Sequence, residues 1–212
     1  MGVARLGLSA AAVALLAGAC GGTTSPGSSP TSPATATTST PGTPSSLTTS
    51  PTPVTTATFG YGAVSVPDRT TPTRAGLLTD VAVSGTAGPD LVRLTFRSGP
   101  PGCRVRYTSP PIKADPSDQV VAVAGTAFLQ IVCRPASGTD LTAATPVTTY
   151  TGPDRVTGAT ANVTEAVLTG DFEAVLTWTI GLQGRAPFAV DWTGPSSGKP
   201  ATVDVYVMRA AG

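Results

Sequence analysis

The chain has 212 residues and not one histidine. Ser-His-Asp and Cys-His nucleophilic schemes are thereby removed, and most zinc sites with them, because each needs an imidazole as base or ligand. Charge is scarce and balanced, 13 basic against 12 acidic side chains, so no global field recruits nucleic acid. No segment shows a sustained 3.6-residue apolar period with capping signals; Asp140 to Ala144 would give at most one turn of helix. Cys-x-x-Cys, Asp-x-Asp-x-Asp-Gly and Gly-rich phosphate loops are all missing, and Ser197-Gly198-Lys199 lacks both the preceding glycine spacing and a following helix. Calcium ligation would rest on Asp115, Asp118 or Asp140 without a supporting loop. No cofactor is implied.

What is present begins with an address. Residues 1–19 carry one positive charge, Arg5, then an apolar run from Leu6 to Ala19. That run is about 14 residues, short of the roughly 20 a membrane-crossing helix needs, so it reads as an export signal. Its ending, Leu16-Ala17-Gly18-Ala19-Cys20-Gly21, resembles the lipobox of bacterial lipoproteins, with Ala17 where leucine is usual. The resemblance implies diacylation of Cys20 and attachment to the outer face of the cell membrane; two acyl chains meet the requirement for stable anchoring. The plain alternative is a secretory signal followed by a chance cysteine. Residues 20–57 are almost wholly Thr, Ser, Pro, Gly and Ala and cannot form a core. They read as a disordered, proline-stiffened tether reaching roughly 100 Å at full stretch, and as a substrate for O-glycosylation. Asn162-Val163-Thr164 matches an N-glycosylation acceptor, but a bacterial signal argues against its use.

From Thr58 about 150 residues remain, one domain's worth. Residues 58–75 read as an extended lead-in and 76–212 as the domain. Short strands are predicted at Leu77–Val83, Leu91–Arg97, Cys103–Thr108, Gln119–Ala124, Ala127–Arg134, Val163–Thr169, Ala174–Ile180, Ala186–Trp192 and Ala201–Met208. The pattern favours an all-β fold, an antiparallel β-sandwich or a barrel. The clearest signal lies in Gly170 to Phe188: Ala174, Leu176, Trp178 and Ile180 share one face and Glu173, Thr177 and Thr179 the other, a half-buried strand. With Ala186 to Trp192 it is expected to form consecutive strands of one antiparallel layer.

Cys103 and Cys133 are the pair left over in an exported chain, and a disulfide between them is expected. Closing a loop of about 30 residues contributes roughly 3 to 4 kcal/mol in the chain-entropy model. Opposing Phe96 with Val105 and Leu94 with Tyr107 makes a hairpin with Gly99-Pro100-Pro101-Gly102 as its turn and the cysteine inward. That register sets Arg97 against Arg104, with Arg93 and Arg106 beside them. Opposed like charges destabilise a strand pair, so either neighbouring carboxylates or solvent relieve them, or they hold carboxylate or phosphate groups of a cell-wall polymer.

Among carboxylates, Asp171 and Glu173 would share a face at a strand start, the one arrangement open to glycoside hydrolysis. As acids flanking a turn they read more simply as solvated. Trp178 belongs to the apolar stripe, whereas Tyr150 and Trp192 are freer to stack on sugars or to pack at a sandwich edge.

Four segments in order, LLTDVAVSGTAGPDLVRLTF, PGCRVRY, VAVAGTAFLQIVCRPA and GDFEAVLTWTIGLQGRAPFAV, resemble the AMIN-like domain of bacterial lipoproteins and secreted proteins. This resemblance implies kinship with AMIN domains, β-sandwich modules that target envelope proteins through cell-wall binding, and it brings no catalytic residues. The family's hairpin commonly has an aromatic residue at the position of Cys103, so Cys133 is implied to be a matched variation. The expectation is a non-catalytic envelope lipoprotein module that binds peptidoglycan or an attached polymer. A scaffold that binds another envelope protein by a sheet edge or apolar patch is the alternative.

Overall fold

The computed structural model describes residues 58–70, 75–85, 87–97, 99–195 and 199–210. The export signal, Cys20, the tether and Ser197-Gly198 lie outside these residues. In chain order the strands are β1 (Val64–Val66), β2 (Gly76–Ser84), β3 (Asp90–Phe96), β4 (Gly102–Thr108), β5 (Ala127–Arg134), β6 (Ala136–Ser137), β7 (Thr139–Asp140), β8 (Val147–Thr148), β9 (Arg155–Val156), β10 (Val163–Phe172), β11 (Val175–Leu182), β12 (Phe188–Thr193) and β13 (Ala201–Val207). No helix occurs among the described residues.

One sheet runs β1-β4-β5-β11-β10-β9, the other β12-β13-β3-β2-β6, with β7 and β8 a separate short ladder. Every pairing is antiparallel except β2 with β6. Alternation puts one apolar row from each strand inside. Val92, Leu94, Phe96, Val203, Val205 and Val207 supply one inner face; Val105, Leu129, Ile131, Leu176, Trp178 and Ile180 supply the other, and all are buried. Burying each large apolar side chain stabilises by about 1.5 to 3 kcal/mol, which makes this shared layer the principal reason the sheets stay together. Val64–Val66, in the stretch read as a lead-in, belong to the sandwich: β1 pairs with β4, while Gly60 exchanges backbone hydrogen bonds with Phe188 of the other sheet at 2.9 and 2.8 Å. The segment straps the two sheets together at one edge.

Several expectations are corrected. Gln119–Ala124 is not a strand; apart from an isolated bridge between Lys113 and Val120 it runs as a loop, held locally by Ala114 N–H to Gln119 O at 2.8 Å and farther off by Ala124 N–H to Glu165 Oε1 at 2.6 Å and Arg155 Nη2 to Ala122 O at 2.9 Å. Asp140 to Ala144 forms no helical turn, because the Asp140 carboxylate accepts from the Thr142 N–H and hydroxyl at 2.9 and 2.7 Å and closes an Asx turn instead. Strand β11 is not half-buried. Thr177 and Thr179 on its outer face are buried too, since the loop before β5 lies over them. A Cβ on Gly181 would sit 1.8 Å from the Ala124 carbonyl oxygen, so only glycine permits that approach. Nor are β11 and β12 neighbours: they belong to different sheets, and the intervening chain is held by Asn162, whose side chain donates to the Gly184 and Met208 carbonyls and accepts from the Gly184 N–H. Asn162 is fully buried by this, so its acceptor sequence is closed to glycosylation in the folded domain.

Candidate anion-binding groove

Strand β4 alternates without interruption. Cys103, Val105 and Tyr107 turn inward, which sends Arg104 and Arg106 to the outer face. On β5 the inward residues Leu129, Ile131 and Cys133 leave Gln130, Val132 and Arg134 outside. The ladder pairs Gly102 with Arg134, Arg104 with Val132 and Arg106 with Gln130, and on the other side Ser65 of β1 with Arg104. Arg134 therefore lies diagonally beside Arg104. A groove of about 630 Å³ opens here, lined by Ser65, Gly102, Val132 and the three arginines.

All three arginines are exposed, and no carboxylate pairs with any of them among the described residues. Arg106 donates from Nη2 to Gln130 Oε1 at 3.2 Å, which orients its guanidinium and leaves its other N–H groups free. Asp68, at the Gly102 end, has its Oδ1 engaged by the Thr70 N–H and hydroxyl. Beneath the groove Cys103 and Cys133 face each other directly in the ladder and form a buried disulfide. The two strands that carry the arginines are covalently fixed to one another.

This is not the arginine face expected from sequence. Strands β3 and β4 do not form a hairpin; Gly99-Pro100-Pro101-Gly102 carries the chain from one sheet to the other, with Pro100 O accepting from the Arg69 N–H at 2.9 Å. The two apolar rows meet face to face across the core, so Arg93 and Arg97 stand on the opposite outer face from Arg104 and Arg106. Arg93 is occupied by a fork of bonds to buried Asp204, Nε to Oδ1 at 2.8 Å and Nη2 to Oδ2 at 2.7 Å, and that partner raises its pKa above the ordinary arginine value. Arg97 is exposed and does not line the groove. Arg134, not anticipated, was signalled by its alternation with Cys133 and Ile131.

The aromatic candidates also settle into the fold. Tyr150 is buried, stands edge-on to Trp178 at 5.7 Å and donates to Pro153 O at 2.7 Å. Trp192 packs against the core at the sandwich edge and is capped by the Arg69 guanidinium, 5.6 Å from its ring. Tyr150 has no free face for a sugar, and Trp192 is half-buried with the Arg69 guanidinium over its ring. Asp171 and Glu173 do not form a carboxylate pair: Asp171 belongs to β10 and accepts from the Gly138 N–H at 2.8 Å, while Glu173 occupies the β10–β11 turn with φ of 49°. Asp118 pairs with Lys113, and no three metal-ligating side chains converge among the described residues.

A family model for the AMIN-like domain matches residues 76–205, which is most of the sandwich. The chain belongs to the AMIN-like domain family. No curated protein and no solved structure matches it. AMIN-like domains are non-catalytic binding modules found in exported cell-envelope proteins and associated with cell-wall binding.

Proposed function

We propose that this AMIN-like domain is a non-catalytic cell-envelope module that binds peptidoglycan or a polymer attached to it. A lipid anchor at Cys20 holds it to the membrane, and residues 21–57 give it reach toward the wall. The observation that carries this reading is the conjunction of AMIN-like family membership with an uncompensated arginine groove on a disulfide-braced sheet face. The groove offers recognition without chemistry: it has positive charge and hydrogen-bond donors but no carboxylate, imidazole or thiol that could transfer a proton or attack a substrate.

The test is twofold. Cells expressing the full chain should incorporate labelled fatty acid, and Cys20→Ser should abolish the label. The processed protein should co-sediment with purified wall sacculi. A chain that takes up no lipid loses the anchor, and one that stays in the supernatant with sacculi loses the wall-binding role.

A further inference from the structure

We infer that the groove over β4 and β5 takes a linear phosphodiester polymer, with Arg104, Arg106 and Arg134 as its phosphate-binding residues. This rests on the wall-binding reading above and names its ligand class.

The first support is local frustration. Among the described residues, Arg93, Lys113 and Arg155 pair with Asp204, Asp118 and Glu165, and Arg69 and Arg185 lie over the rings of Trp192 and Tyr107; Arg97, Lys199 and Arg209 have no ion pair either, but three such cations line one groove only on β4 and β5. Adjacent like charges on a sheet destabilise it, and a single acid at either residue paired with Arg104 would relieve them. Those residues are Ser65 and Val132. A cost left in place on one strip of surface is what a binding site looks like.

The second support is spacing. Arg104 and Arg106 are two residues apart on one strand face, roughly 6.8 Å along the strand, and Arg134 sits on the diagonal, roughly 7 to 8 Å from Arg104 in backbone terms. A row of forked guanidinium groups at that interval suits a chain that carries one phosphate per short repeat unit, each held bidentately. The disulfide keeps the row from splaying when it is unoccupied.

The third support is what the lining lacks. It has no acid to receive an ammonium group, as an amine-bearing peptide stem would require, and no aromatic ring on which a neutral sugar would stack. It has no exposed apolar side chain to enter a bilayer either, since Val66 is buried and Val132 half-buried. Exposed groups of that kind, such as Val120, Leu141 and Phe172, lie elsewhere. What remains is a polyanion in water.

The experiment uses the full chain, phosphodiester polymer released from wall sacculi, native and polymer-stripped sacculi, and phosphatidylglycerol vesicles, over a salt series. The variants are R104Q/R106Q/R134Q and, as a control removing exposed cations elsewhere, R97Q/R209Q. The original chain should bind released polymer and native sacculi, and the triple variant at least tenfold more weakly. Its slope of log affinity against log salt should fall by about two to three, as expected when that many phosphate contacts are lost. R97Q/R209Q should bind as the original does, and the triple variant should melt close to the original, since the like-charge repulsion it loses offsets the one exposed bond from Arg106 to Gln130. Equal polymer binding by the triple variant and the original, or an equal loss in the control, overturns the assignment. Retention on stripped sacculi that resists salt also overturns it, in favour of glycan or peptide recognition, and so does binding to vesicles without binding to polymer. If the original chain ignores native sacculi altogether, the wall-binding reading itself fails; if it is retained and the triple variant is retained equally, only the groove fails.

Discussion

Asp90 of β3 accepts a hydrogen bond from the backbone N–H of Val163, 2.9 Å away at the head of β10 in the opposite sheet. The same carboxylate takes the N–H groups of Ala161 and Asn162 and is only 1% exposed, so one side chain satisfies three donors and fixes how the sheets meet. Asp90→Ala should cost about 3 kcal/mol or more in urea unfolding, because buried donors are left without partners. Asp90→Asn should recover part of that, one oxygen still accepting. An Asp90→Ala protein within about 0.5 kcal/mol of the original would show that solvent replaces the carboxylate.

The Cys103–Cys133 bridge spans a sequence separation of 30 residues. Cys103→Ala with Cys133→Ala should lower unfolding free energy by about 3 to 4 kcal/mol while leaving the circular dichroism of the sheets intact. Equal stability of the oxidised protein and the double variant would count against the bridge as a brace.

Glu173 and Ala174 make the β10–β11 turn with φ of 49° and 59°, between the paired residues Phe172 and Val175. A turn with both central residues in the left-handed region favours Asn-Gly, and a non-glycine residue there costs about 1 to 2 kcal/mol. Glu173→Asn with Ala174→Gly should therefore raise stability by about 1 kcal/mol in chemical denaturation. A decrease would mean the native turn is held by something other than its backbone preference.

Burial, helped by Asp80 and Asp154, pushes the Tyr150 hydroxyl up to about 12 from 10.0. A value higher in the folded than in the unfolded chain leaves this contribution whole below about pH 10, and it is lost as pH rises toward 12. Tyr107 and Tyr206 are raised in the same direction by burial. Tyr150→Phe should lose about 1 kcal/mol at neutral pH, for the bond to Pro153, and should flatten the decline between pH 10 and 12. Parallel alkaline curves for the two proteins would contradict it.

The sequence was most legible where the physics is local. Alternation placed Val92, Leu94, Phe96, Val105 and Leu176 on buried faces correctly, because period two is a property of each strand alone. Pairing is not: the same inward rows of β3 and β4 satisfy a hairpin and a face-to-face core equally, and only the whole packing selects the second. For that reason the sequence pattern sets Arg93 and Arg97 beside Arg104 and Arg106, whereas the fold puts them on the other side of the molecule. The burial of Thr177 and Thr179 was hidden for a similar reason, since a loop remote in sequence covers them. Tyr150 looked free because nothing nearby in the chain reveals that Trp178 is its neighbour. The groove was half visible, as charges without partners; finding Arg134 required knowing that β4 and β5 are adjacent.

The most direct test of the central claim is the fraction of the full chain that co-sediments with native wall sacculi. Wall recognition through the arginine face predicts saturable retention of the original protein that falls as salt is added and is largely lost in R104Q/R106Q/R134Q. No saturable retention of the original protein at any salt would contradict it.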